Sequence, residues 1–105
     1  PLAIAAYRQQ HQVTANIRIS ITESDNAAAE GLWQQLGDPV TAAEKMQEVL
    51  REAGDPTTVE SRKLRPEFTA FGQTIWSLAD QAHFTAQAFC NKANEPIFAL
   101  MGQIA

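Results

Sequence analysis

At 105 residues the chain suits one domain with a single modest core, and 45% apolar with 19% charged residues places it outside the disordered class. Twelve acidic against eight basic residues leave a net charge of -4, a sign that disfavours long-range steering toward nucleic acid or an anionic membrane surface. A single cysteine, Cys90, excludes an intramolecular disulfide, and no apolar run approaches the ~20 residues of a membrane-spanning helix, so a soluble, cytoplasmic protein is expected.

The opening PLAIAAYRQQ reads as helix and lacks the basic start and the cleavage site of a secretory signal. Pro1 is what removal of an initiator methionine, or a cloning boundary, would leave. A free N-terminal proline can act as a base in tautomerase-like enzymes, but those need it to open a strand, and the helical pattern argues against that chemistry. His11 stands alone among glutamines.

Residues 13–22 have two readings. Val13, Ala15, Ile17, Ile19 and Ile21 alternate with Thr14, Asn16, Arg18 and Ser20, the period of a strand. The same stretch, read as a continuation of the first helix, places Val13, Ile17 and Ile21 on one face at i, i+4 and i+8. A lone strand leaves its backbone groups unpaired on both edges, so the strand reading requires pairing with a second copy of the chain.

SDNAAAEGLWQQLG predicts a short helix capped by Ser24 or Asp25, with Ala28, Leu32, Trp33 and Leu36 inward. Gly31 weakens it by roughly 0.5–1 kcal/mol relative to alanine. Two Gly-Asp-Pro triplets, at 37–39 and 54–56, bracket the next helix. There Thr41 and Glu44 fit a capping box, and Met46, Val49, Leu50 and Ala53 share one face. The dense basic stretch Arg62, Lys63, Arg65 is flanked by Glu60 and Glu67 and reads as a solvated charge cluster.

The last third carries the longest periodicity. Phe68, Phe71, Ile75, Leu78, Ala82, Ala86, Phe89 and Ala93 recur about every 3.6 residues, predicting a helix over 66–94 about 43 Å long. Trp33, Trp76 and Phe84 read as packing anchors. Cys90, between Phe89 and Ala93, is expected to be buried. After Pro96, Ile97, Leu100, Met101 and Ile104 form the face of a terminal helix that must dock on the protein or on a partner.

The expected fold is therefore all-α: one domain over 1–105, an elongated bundle of four to five helices with a long C-terminal helix and at least 65% helix, the segment 13–22 remaining open between helix and strand. Phe68, Phe71, Ile75, Leu78, Ala82, Phe89, Ile97, Leu100, Met101 and Ile104 are its candidate core or interface positions. More apolar helix face than a chain of this size readily covers points to a homodimer.

NIRISITESDNAAAEGLWQQLGDPVTAAEKMQEVLREAG resembles a ribbon–helix–helix unit: a short strand, a helix, a glycine turn and a capped helix. The resemblance spans about 40 residues of the region 13–53. It implies a dimeric ribbon that reads the DNA major groove through Thr14, Asn16 and Arg18, or through Arg18, Ser20 and Thr22 in the other register. The basic N-terminal arm of that family is missing here, and residues 57–105 have no counterpart in its minimal unit. The alanine-rich amphipathic last third, ending in NEPI, is similar to the phasins, which implies a coat on storage granules.

No glycine-rich nucleotide loop, zinc-ligand spacing or nucleophile motif occurs, so neither cofactor nor metal is expected, and no catalysis. His83 and Cys90 lie seven residues apart, about 10.5 Å along a helix, too far to share a metal. Asp80 and His83 at i, i+3 fit a structural pair, and Glu48 and Glu52, beside Lys45 and Arg51, fit a solvated face. The preferred function is a non-enzymatic, self-associating helical module, an adaptor, scaffold or small regulator; DNA binding or granule coating follow only from the resemblances.

Overall fold

The computed structural model describes residues 1–104, and every regular element among them is helical. Six α-helices follow in order: α1 Leu2–Gln10, α2 Ala15–Thr22, α3 Asn26–Leu36, α4 Pro39–Glu52, α5 Leu78–Phe89 and α6 Glu95–Met101. Single 3-10 turns at Phe71–Gln73 and Lys92–Asn94 bring the helical content to 64%, just under the expected 65%. None of these helices is long and apolar enough to cross a membrane.

The first helices start and stop where local chemistry dictates. His11, in the left-handed region at φ 58°, ends α1 while its N–H donates to the Tyr7 carbonyl. Thr14 then caps α2 by accepting from the Ile17 N–H at 3.2 Å. The hydroxyls of Ser20 and Thr22 donate back to the carbonyls of Ile17 and Arg18, so β-prone residues satisfy their polar groups inside a helix. The 13–22 segment is thus helical in the single chain, a separate helix rather than an extension of the first. Ile17 is completely buried and Ile21 packs on the core, and that helical face outweighs the two-residue alternation.

Asp25 caps α3 by accepting from the Ala28 N–H, and Ala28, Leu32, Trp33 and Leu36 are all buried, as expected. Gly31 has a packing reason: a Cβ there would lie 2.9 Å from the Asn16 amide nitrogen, so the glycine lets α2 and α3 approach closely. At the next helix the expected cap moves by three residues. Asp38, not Thr41, is the N-cap; its carboxylate accepts from the Thr41 N–H at 2.9 Å, with Pro39 in the first turn. Those hydrogen bonds from Thr41 hold the Asp38 carboxyl below its usual range. Met46, Val49 and Leu50 enter the core and Ala53 packs at its edge.

The helix expected over 66–94 is the main departure. Only Leu78–Phe89 is α-helical; residues 53–77 cross the bundle as a largely irregular segment. Side chains there compete with helical bonding for the backbone. The Gln73 amide donates to the carbonyls of Arg65, Phe68 and Thr69, while its oxygen accepts from the Arg65 N–H. The Thr69 hydroxyl accepts from Gly72, and that of Thr74 accepts from Glu60. Ser77 then starts α5 by accepting from the Asp80 N–H. Without the long helix the molecule is not elongated: its extents are 34 × 29 × 24 Å and its radius of gyration is 12.9 Å, about the value for a compact domain of this length.

One buried carboxylate ties this segment down. The N–H of Asp55 bonds to the Leu50 carbonyl and that of Gly54 to Arg51, a helix end that needs the positive φ of Gly54, 78°. The turn directs the Asp55 side chain inward, where it is 2% exposed and accepts from the Thr57 N–H at 2.9 Å and the Trp76 indole N–H at 2.6 Å. Arg51 donates to the carbonyls of Asp55 and Thr57. Burial alone pushes the Asp55 carboxyl up, but the bonds from Thr57 and Trp76 and the Arg51 charge outweigh it and hold the pKa below 3.8.

A depressed carboxylate pKa contributes stability that is present above the ordinary value and lost as pH falls through the folded one. Asp55→Asn is therefore expected to cost about 1–3 kcal/mol at neutral pH. In urea titrations its deficit relative to the parent should shrink at pH 3, and an equal deficit at both pH values would refute the linkage. Leu32→Ala, at a site with no exposure, should cost ~2–5 kcal/mol, whereas Ile75→Ala, at 94% exposure in the single chain, should stay within about 0.5 kcal/mol in the same assay run on chain diluted to the monomer.

Candidate functional site

The core is complete without much of the apolar side chain in the last third. Phe84 and Ala88 are the buried residues of α5, and the Phe84 ring meets Trp76 edge-on at 5.7 Å. At 100° per residue, Leu78, Phe89, Ala82, Ala86 and Ala79 occupy a different sector of α5, about 100° wide. All five are exposed. The helix thus carries two apolar faces, one packed on the bundle and one bare.

Of the ten candidate core or interface positions, Ile97 and Leu100 are buried, and Phe71 is half-buried, its ring centroid 5.2 Å from that of Trp33. The core assignment does not hold for the other seven. Phe68 is exposed beneath the Arg65 guanidinium, 4.9 Å from its ring centre. Ile75 precedes α5 on the irregular segment and is 94% exposed; Leu78 is 81% and Phe89 69% exposed, with Ala82 bare between them. Met101 and Ile104 are half-exposed at the chain's end. The cause is the lost 66–94 helix: α5 begins on a new register at Ser77, and the sector carrying Phe84 and Ala88 faces the core. Cys90, expected to be buried, is exposed at the end of α5 for the same reason.

Two apolar clefts adjoin Trp76. One, about 320 Å³, is lined by Leu2, Ile21, Met46, Leu50, Val59 and Phe71. The second, about 310 Å³, runs between α5 and α6 past Phe84, Ile97, Phe98 and Met101. Pro1, Ala3, Ile21 and Trp76 border both.

The residues proposed by resemblance to contact DNA have structural partners or no shared surface. Thr14 caps α2, Asn16 packs against Gly31, and Arg18 projects from α2 into solvent. No ribbon brings them together in the single chain. The basic stretch is paired with carboxylates: Arg62 with Glu60, Arg65 with Glu67 and Lys63 with Glu30, at 3.2–3.9 Å. Two bonds from Arg62 hold the Glu60 carboxyl below its usual range. Among the described residues no group of three or more His, Cys, Asp or Glu stands close enough to hold a metal.

Sequence reasoning put Leu78, Ala82, Ala86 and Phe89 on one face and left it open between core and interface. It ran that face into Phe68, Phe71 and Ile75 as one helix, and took Phe84, the residue that faces the core, for a side anchor. The available signal was Ser77-Leu78-Ala79-Asp80, the pattern of a helix start preceded by glycine and threonine. Asp55 was legible only as a turn residue before Pro56. No family model matches this chain, and no curated protein or solved structure matches it.

Proposed function

We propose that the chain is a non-enzymatic, self-associating helical module that serves as an adaptor, scaffold or small regulator. The observation that supports this reading is the set of large apolar side chains left in water beside an already filled core: Ile75, Leu78, Phe89 and Ile104. Folding gains nothing from burying them, because they are not buried. Association with a second surface would remove them from water at roughly 25 cal/mol per Å². Exposed apolar patches beyond a few hundred Å² are uncommon on soluble monomers and mark interaction sites.

Sedimentation equilibrium at micromolar concentration tests the reading. The expected mass is a multiple of 11.5 kDa that falls on dilution. A single species of 11.5 kDa across the concentration range would refute self-association.

A further inference from the structure

We infer that the bare face of α5 docks antiparallel on α5 of a second copy of this chain, an inference that rests on the self-association reading above. The face is complementary to itself. Leu78 stands at one end and Phe89 at the other, eleven residues or about 16 Å apart, with only alanines between them on that sector. A two-fold axis perpendicular to the helix pair, midway between residues 83 and 84, sets each Leu78 against the other copy's Phe89. Such an isologous contact pairs i with j and j with i, so one shape serves both sides. The alanines fall in the middle, where two helix backbones approach most closely.

Charge and area favour this occupant. Asp80 is the one Lys, Arg, Asp or Glu on α5, and it lies half-buried on another side of the helix, so the face offers nothing to a partner chosen by charge. The antiparallel arrangement also sets the positive end of each helix dipole beside the negative end of the other, which a parallel pair does not. Leu78 and Phe89, each two-thirds or more exposed, present on the order of 300 Å² per copy. With the alanines the pair approaches about 1,000 Å² in total, the size of a weak, reversible interface, which suits a dimer that dissociates on dilution.

Cys90 reports the orientation. It directly follows Phe89 with right-handed helical dihedrals, which sets it on the flank shared with Ala79. In the antiparallel register Ala79 of one copy lies about 3 Å along the axis from the other copy's Cys90, while the two Cys90 residues stand about 20 Å apart. Under mild oxidation with diamide, the parent chain should form no covalent dimer within the complex, and Ala79→Cys should form one at twice 11.5 kDa on a non-reducing gel. Ala82→Glu, which sets two carboxylates near the axis, should shift the parent's dimer to monomer in sedimentation and raise the dimer dissociation constant at least tenfold. A thermal melt by circular dichroism checks that this exposed substitution leaves the fold intact.

The failures separate. A parent that is monomeric throughout overturns both self-association and this interface. A parent dimer that cross-links readily through Cys90 alone indicates a parallel pair and overturns the inference while self-association stands. A folded Ala82→Glu variant that remains as dimeric as the parent places the contact elsewhere, at the Met101–Ile104 end or on a different surface, with the same consequence. Failure of Ala79→Cys to cross-link overturns the register.

Discussion

The bond between the buried Asp55 carboxylate and the Trp76 indole sets what the rest of this molecule is free to do. It joins the end of α4 to the residue just ahead of α5, across twenty residues of irregular chain. A buried carboxylate without partners would be expelled or protonated, so its donors are held as firmly as the group itself. Thr57 and Trp76 supply them directly, and Arg51 closes the surrounding turn by binding two carbonyls. With Trp76 pinned, the Phe84 ring meets it edge-on and the orientation of α5 follows.

That orientation divides the apolar residues of the last third into two sets. Phe84 and Ala88 join Ile97, Leu100 and the residues of α1 to α4 in one core. Leu78, Ala82 and Phe89 fall outside it, because one helix cannot direct two sectors so far apart into the same contact. The Phe89 ring retains a single aromatic neighbour, Phe98, edge-on at 5.5 Å. The outward face is therefore a by-product of how α5 is anchored.

The same anchoring accounts for the clefts beside Trp76. An irregular segment held by a few hydrogen bonds and by Val59, Ala70 and Phe71 does not interdigitate with helices as another helix would. Space remains beside the indole. The segment's charges pair mostly with each other, Arg62 with Glu60 and Arg65 with Glu67, at exposed positions where such pairs contribute little to stability.

Short-range signals in the sequence determined the helical class, the inward faces of α3 and α4, the ends marked by Asp25, Gly37 and Gly54, and the start of α1. Each rests on one turn of chain: a cap, a proline that suits a first turn, or an apolar repeat shorter than fifteen residues. Two features were decided only by tertiary structure. Residues 15–22 fit strand and helix alike, and burial of Ile17 against α3, with Gly31 giving way to Asn16, selects the helix. The stripe from Phe68 to Ala93 fits one long helix by period alone. Period records which residues are apolar, and it carries no information about the polar side chains of Gln73, Thr69 and Thr74 taking the backbone for themselves, or about a carboxylate twenty-one residues upstream claiming the indole of Trp76. Those bonds join parts of the chain that only the folded state brings together, and they place α5 with one apolar face inward and the other in water.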